Sequence, residues 1–220
     1  MRFQWEKFRL LAMIVFISSS ALVVGCDREE GDDAQPVPEG ELVYEDDFSG
    51  DEVGSDWQTG FEGWSVEDGA LQVQGAHNDA LWLQEPLPES FRVNFRAKSD
   101  SEEGDIKFEI LGDGETHESG YVGIFGGWSN QLNIIARLDE HGDDRLVGAS
   151  EMSVEPGRVY EMDVVRTDGR LRWYIDGDLF LTYDDSEPLR GDGHRHFGFN
   201  NWEAPLTFEE LRIYDLASSD

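Results

Sequence analysis

The sequence predicts an all-β fold, a two-sheet antiparallel β-sandwich, on three observations. From Leu42 onward apolar and polar residues alternate with a period of two, the pattern of half-buried strands. Asp-Gly pairs recur between the alternating runs, at Asp68-Gly69, Asp113-Gly114, Asp168-Gly169 and Asp176-Gly177, and Asp-Gly between β runs is a hairpin signal. No stretch after Leu42 repeats at 3.6 residues, and no internal repeat points to a propeller or solenoid. A dozen or so short strands with regular turns in one domain, residues 42–216, fit a sandwich, followed by a tail at 217–220.

The elements follow in order. Leu42 to Phe48 reads as the first strand and Leu206 to Leu216 as the last, and their pairing ties down both ends of the domain. Phe91, Val93, Phe95 and Ala97 alternate with Arg92, Asn94, Arg96 and Lys98. Ile106, Phe108 and Ile110 alternate with Asp105, Lys107 and Glu109. Leu132, Ile134, Ala136 and Leu138 alternate with Asn133, Arg137 and Asp139, which assigns those three to a polar face, although Ile135 interrupts it.

Residues 1–25 stand apart from this pattern. Arg2, Lys7 and Arg9 precede an apolar run from Leu10 to Ile17 and then Ser18-Ser19-Ser20, the layout of a secretory signal peptide. The segment ends Val23-Val24-Gly25-Cys26, which resembles the lipobox of bacterial lipoproteins. That resemblance implies cleavage before Cys26, lipidation of Cys26, and anchoring in the cell envelope, the membrane being touched only through the lipid. Residues 26–41 then read as a tether rich in acids, with Pro36 and Pro38 and no aromatic residue.

Charge narrows the function. The chain of 220 residues has 48 acidic and 17 basic side chains and a net charge of -31. Such a surface repels phosphate, so nucleic acid is not an expected partner. The single cysteine rules out a disulfide framework and a cysteine zinc site. After the leader only Lys98 and Lys107 are lysines. Strong acidity with few lysines reads as a solubility adaptation of an exported domain.

An opening Glu45 to Gly50 (EDDFSG), Trp64 to Leu71 (WSVEDGAL), Tyr174 to Leu181 (YIDGDLFL) and a closing Phe208 to Leu216 (FEELRIYDL) occur in this order. In order and spacing they resemble the concanavalin A-like lectin/glucanase jelly rolls, with laminin-G-like and 3-keto-disaccharide hydrolase domains as relatives in pattern. The resemblance implies a jelly roll whose concave sheet holds a glycan or another extracellular polymer. Laminarinase-like members carry carboxylates on alternate residues of one strand. Asp105, Lys107 and Glu109 depart from that pattern at the lysine, and at about 3.3 Å per residue Asp105 and Glu109 sit roughly 13 Å apart, too far for a glycosidase pair. The simpler expectation for the three is a solvated ion-pair ladder.

Three readings follow. The favoured one is a non-catalytic binding domain using Trp128, Asn130, Asn133 and Arg137, Lys107, and Asn200, Asn201 and Trp202. Indole faces stack on pyranoses while amides and charged groups bond hydroxyls. The alternative is a glycoside hydrolase drawing on Asp105, Glu109, Asp139, Glu140 and His141. The third is a structural or protein-interaction lipoprotein. His194 and His196 share a strand face but lack metal-site spacing, and a polar pair around Arg195 is the plainer reading. No cofactor is expected beyond a structural calcium, for which Asp46 and Asp47 are the candidates, oxygen ligands suiting a hard cation.

Overall fold

A computed structural model describes residues 36–143, 145–148 and 151–217. The signal segment, Cys26 and most of the tether, residues 26–35, lie outside the described residues, as do residues 218–220 of the tail. The described residues form fifteen strands: β1 (Glu41–Asp46), β2 (Trp57–Gln58), β3 (Ser65–Glu67), β4 (Ala70–Val73), β5 (Leu81–Leu83), β6 (Phe91–Ser99), β7 (Ile106–Gly112), β8 (Tyr121–Gly126), β9 (Leu132–Arg137), β10 (Leu146–Val147), β11 (Val159–Thr167), β12 (Arg170–Ile175), β13 (Asp178–Asp184), β14 (His196–Asn200) and β15 (Leu206–Asp215). All pairings are antiparallel, in two sheets. One sheet runs β13-β12-β11-β6-β15-β4-β3, with β1 also on β15; the other runs β10-β9-β8-β7-β14-β5-β2. The terminal strands pair as the sequence predicts, Glu41 opposite Asp215.

Turn chemistry fixes the register. Asp68-Gly69, Asp168-Gly169 and Asp176-Gly177 each close a two-residue hairpin with positive φ at both residues, the twist-compatible geometry that Asp-Gly supplies. Asp113-Gly114 differs from expectation. Its aspartate accepts hydrogen bonds from the Glu115 and Thr116 amides and opens a longer loop, 113–120, between β7 and β8.

The core lies between the sheets. Phe91, Val93, Phe95 and Ala97 of β6 are all buried against Ile106, Phe108 and Ile110 of β7. Phe95 stands at the centre, with Phe108, Phe197 and Phe199 ring centroids at 5.6, 5.8 and 5.3 Å. Burying each such side chain stabilises by about 1.5–3 kcal/mol. Gly123 admits the Phe108 ring, because a Cβ there would lie 2.3 Å from its Cζ. Gly123→Ala is expected to destabilise the domain by about 1–3 kcal/mol; a thermal melt unchanged from wild type would contradict this packing.

On β9 the structure corrects the expected face. Ile135 joins the main core, while Ile134 and Ala136 form a separate apolar cluster with Val122 and Ile124 on the outer face of the sheet. Asn133 and Arg137 share the inward side with Ile135. Val122, Ile124, Ile134 and Ala136 are all buried, so apolar residues sit on both sides of β9.

Candidate functional site

The site is built on the outer face of the seven-stranded sheet. Register sets Asn200, Lys107, Ile124 and Ile134 in one row across β14, β7, β8 and β9. Gly198, Glu109, Val122 and Ala136 form the next row. The β14–β7 half of this floor is polar and the β8–β9 half apolar. At its border the Trp82 ring packs where a Cβ on Gly112 or Gly198 would come within 2.3 or 2.8 Å of it.

The polar half is a buried network rather than the expected solvated ladder. Lys107 is 2% exposed, and its Nζ donates to Glu140 Oε2 and Asn78 Oδ1, each at 2.9 Å. Glu109 is fully buried and accepts from Asn200 Nδ2 at 2.5 Å, the Glu118 amide at 3.0 Å and His117 Nδ1 at 2.7 Å. Glu118 Oε1 accepts the Glu140 amide at 2.6 Å. His117 Nε2 lies 3.8 Å from Glu140 Oε2, linking the two halves. The ladder fails because the 113–120 loop brings His117 and Glu118 onto Glu109, and the segment after β9 brings Glu140 onto Lys107. Buried charges persist only where paired in this way.

Protonation follows from these contacts. Burial opposes charging the His117 ring, but the Glu109 hydrogen bond and the Glu109 and Glu140 charges outweigh it, so its pKa is raised. Asp105, beside this network, is pushed up to about 6 by burial, with Lys107 opposing and Glu140 adding to the rise. Its Oδ2 is buried without a hydrogen-bond partner.

Above this floor lies a cleft of about 600 Å³, lined by Asp105, Lys107, Ile124, Glu140 and His141 and flanked by Trp128 and Trp202. Trp128 is 37% and Trp202 47% exposed, whereas the other described tryptophans are buried. Trp128 sits in a left-handed turn, Gly127–Asn130, with φ of 51°, 59° and 62° at Trp128, Ser129 and Asn130. Left-handed backbone costs an ordinary residue about 1–2 kcal/mol, so the turn must be held. Asn130 holds it through the Val154 amide and carbonyl, at 2.8 and 2.7 Å, and Asn133 accepts the Gly126 amide at 2.9 Å. Arg145 lies 5.0 Å over the Trp128 ring, and the His141 ring meets it edge-on. Trp202 stacks on His77 at 4.9 Å. Its backbone is set by Asn201, whose side chain accepts the Ala76 amide at 3.0 Å and donates to the Ala204 carbonyl at 2.6 Å.

Of the residues singled out in the sequence, the structure brings Asp105, Lys107, Glu140, His141, Trp128 and Trp202 together at the cleft, with Glu109 and Asn200 beneath it. Asn130, Asn133 and Asn201 instead hold backbone that aims the tryptophans. Arg137 turns toward the other sheet and bonds Asp185 at 3.0 Å, which also accepts the Tyr121 hydroxyl. Asp139 accepts the His141 amide at 2.8 Å and faces solvent. Asp46 uses one oxygen on the Phe48 amide and the other on Trp57 Nε1, and Asp47 accepts the Ser49 amide. His194 and His196 each place Nδ1 on a backbone carbonyl, of Leu111 and Leu83. Sequence reasoning missed Asn78, His117 and Glu118. The signal for His117 was its place in the long loop after Asp113-Gly114, next to the strand carrying Glu109.

No family model matches the chain. It is 27% identical over 151 residues to an extracellular exo-alpha-L-arabinofuranosidase of Streptomyces chartreusis, covering 68% of this chain and 18% of that protein. This chain thus spans less than a fifth of that relative's length. Among solved structures it resembles the carbohydrate-binding module CBM66 of Bacillus subtilis, with a TM-score of 0.60 at 16% identity over 73% of this chain and 96% of that one. The laminarinase of Rhodothermus marinus gives 0.59 at 14% identity over 81% and 98%. With these architectures the chain shares the concanavalin A-like jelly-roll fold, two antiparallel sheets packed face to face.

Proposed function

We propose that the protein is an exported, lipid-anchored domain that binds a glycan in the cleft between Trp128 and Trp202 without cleaving it. The observation that carries this reading is the pair of half-exposed indoles held over a buried, hydrogen-bonded floor. Aromatic faces and fixed polar groups in a concave site are the general means of holding a small polar ligand. The names of the relatives, a carbohydrate-binding module and carbohydrate-active enzymes, support a glycan as the ligand class. Against a glucanase-type mechanism stands Glu109, which is fully buried and already accepts from three donors. Trp128→Ala and Trp202→Ala are each expected to weaken glycan binding at least about tenfold, the order that stacking on an aromatic ring supplies, with the melting temperature held within about 2 °C. Calorimetric titration reads the affinity, and a reducing-sugar assay on the wild type reads cleavage. Unchanged affinity in both variants would remove the cleft from the site; sugar release would favour the hydrolase reading.

Export and anchoring rest on the leader and on Cys26 at its end. The extracellular relative agrees with export. The tether, residues 26–41, then holds the domain off an anionic membrane surface by charge repulsion. Cys26→Ser is expected to move the protein from the membrane fraction to the soluble fraction and to abolish labelling with a radioactive fatty acid. Retained labelling would contradict the anchor.

A further inference from the structure

We propose that the cleft selects glycans that carry a protonated amino group over their N-acetylated or acidic counterparts. This deepens the glycan reading above and rests on it. The charge lining the cleft is uneven. Glu103, Asp105, Glu140 and Glu203 contribute carboxylates, and the one lysine in the lining, Lys107, is already bonded to Glu140 at 2.9 Å and buried. Glu203 lies 3.0 Å from His77, which backs the Trp202 ring. No arginine lines the cleft among the described residues; Arg145 lies over the Trp128 ring instead.

Asp105 makes the imbalance specific. Its carboxyl lines the cleft and is partly exposed there; a backbone hydrogen bond from Trp202 reaches it, while Oδ2 is buried without a donor. A partly buried carboxylate short of donors accepts a charge-assisted bond from an ammonium, on the side that faces the cleft, more strongly than one from a neutral hydroxyl. The exposed Trp202 indole adds a favourable face for a cation, whereas Arg145 already lies over the Trp128 ring. A uronate or sulfate brought to the same place meets like charge. The net charge of -31 acts in the same direction at longer range, drawing cationic ligands and repelling anionic ones.

The test compares glucosamine oligosaccharides with N-acetylglucosamine oligosaccharides of equal length, and with oligogalacturonate, by titration at neutral pH in moderate salt. Oligolysine of matched charge serves as the competitor for simple charge attraction. The expected result is about tenfold tighter binding of the deacetylated ligand, no binding of the uronate, and little competition by oligolysine. In Asp105→Asn, whose fold is checked by its melting temperature, the preference should fall to about twofold or less. Equal or tighter binding of the acetylated ligand, or of the uronate, overturns the selectivity and leaves the glycan reading standing. Oligolysine competing as well as the amino sugar overturns it as well, because the attraction is then the whole acidic surface rather than the cleft. If neither oligosaccharide binds while another neutral glycan does, the selectivity fails alone; if no glycan binds, the glycan reading fails with it.

Discussion

Lys107→Met is expected to lower the stability of the domain by about 3–5 kcal/mol, the range for breaking one partner of a buried ion pair. The pair is tight and dry: Nζ to Oε2 is 2.9 Å, and the side chains are 3% and 8% exposed. Methionine keeps most of the stem's volume, so the loss isolates the charge rather than the packing. Glu140 would be left buried with only the His117 ring, 3.8 Å away, as a cationic neighbour of that oxygen, and Asn78 Oδ1 would lose the same donor. The drop in melting temperature should be on the order of 10 °C for a domain of this size. The double change Lys107→Met with Glu140→Gln removes the orphaned charge and should recover at least half of the loss. A single variant melting with the wild type would show that the pair does not hold the site together.

Asp105→Asn is expected to act in the opposite direction on stability. Burial chiefly pushes the folded carboxyl up to about 6, from the ordinary aspartate value of 3.8. The folded state therefore holds this proton more tightly than the unfolded chain. Its contribution to stability is fully present below the unfolded value and is lost as pH rises through about 6. A rise of this size corresponds to roughly 2–3 kcal/mol, which the ionised group costs at neutral pH. Melting curves of wild type and variant should converge near pH 4 and separate by neutral pH, with Asp105→Asn the more stable. Parallel curves would contradict the burial argument. His117 adds to the same slope: its raised pKa gives stability present below its ordinary value of 6.5 and lost as pH rises through the raised one. A group that destabilises the fold while lining a cleft is the usual sign of stability given up for function.

Much of this was legible in the sequence, and the rest was not for identifiable reasons. The inward faces of β6 and β7 follow from strict alternation, and three hairpins follow from Asp-Gly, because both signals are local. On β9 the run Leu132, Ile134, Ile135 and Ala136 is apolar on both faces, so alternation alone could not say which side met the core. The buried network needed tertiary information: His117 and Glu140 reach β7 from two separate loops, and no spacing in the chain announces that meeting. The asparagines expected at a ligand were right in neighbourhood but differ in role. Asn130, Asn133 and Asn201 offer the same donors and acceptors to backbone as they would to a sugar, and composition cannot tell the two uses apart.

The central claim, a ligand held between two exposed indoles on the outer face of the seven-stranded sheet, is tested most directly by following the tryptophan side-chain N–H resonances during a glycan titration. Trp57, Trp64, Trp82 and Trp173 are buried, and Trp128 and Trp202 are exposed. Saturable shifts confined to the Trp128 and Trp202 resonances, assigned from single substitutions, are the predicted result. A glycan that binds while leaving both resonances in place would contradict it.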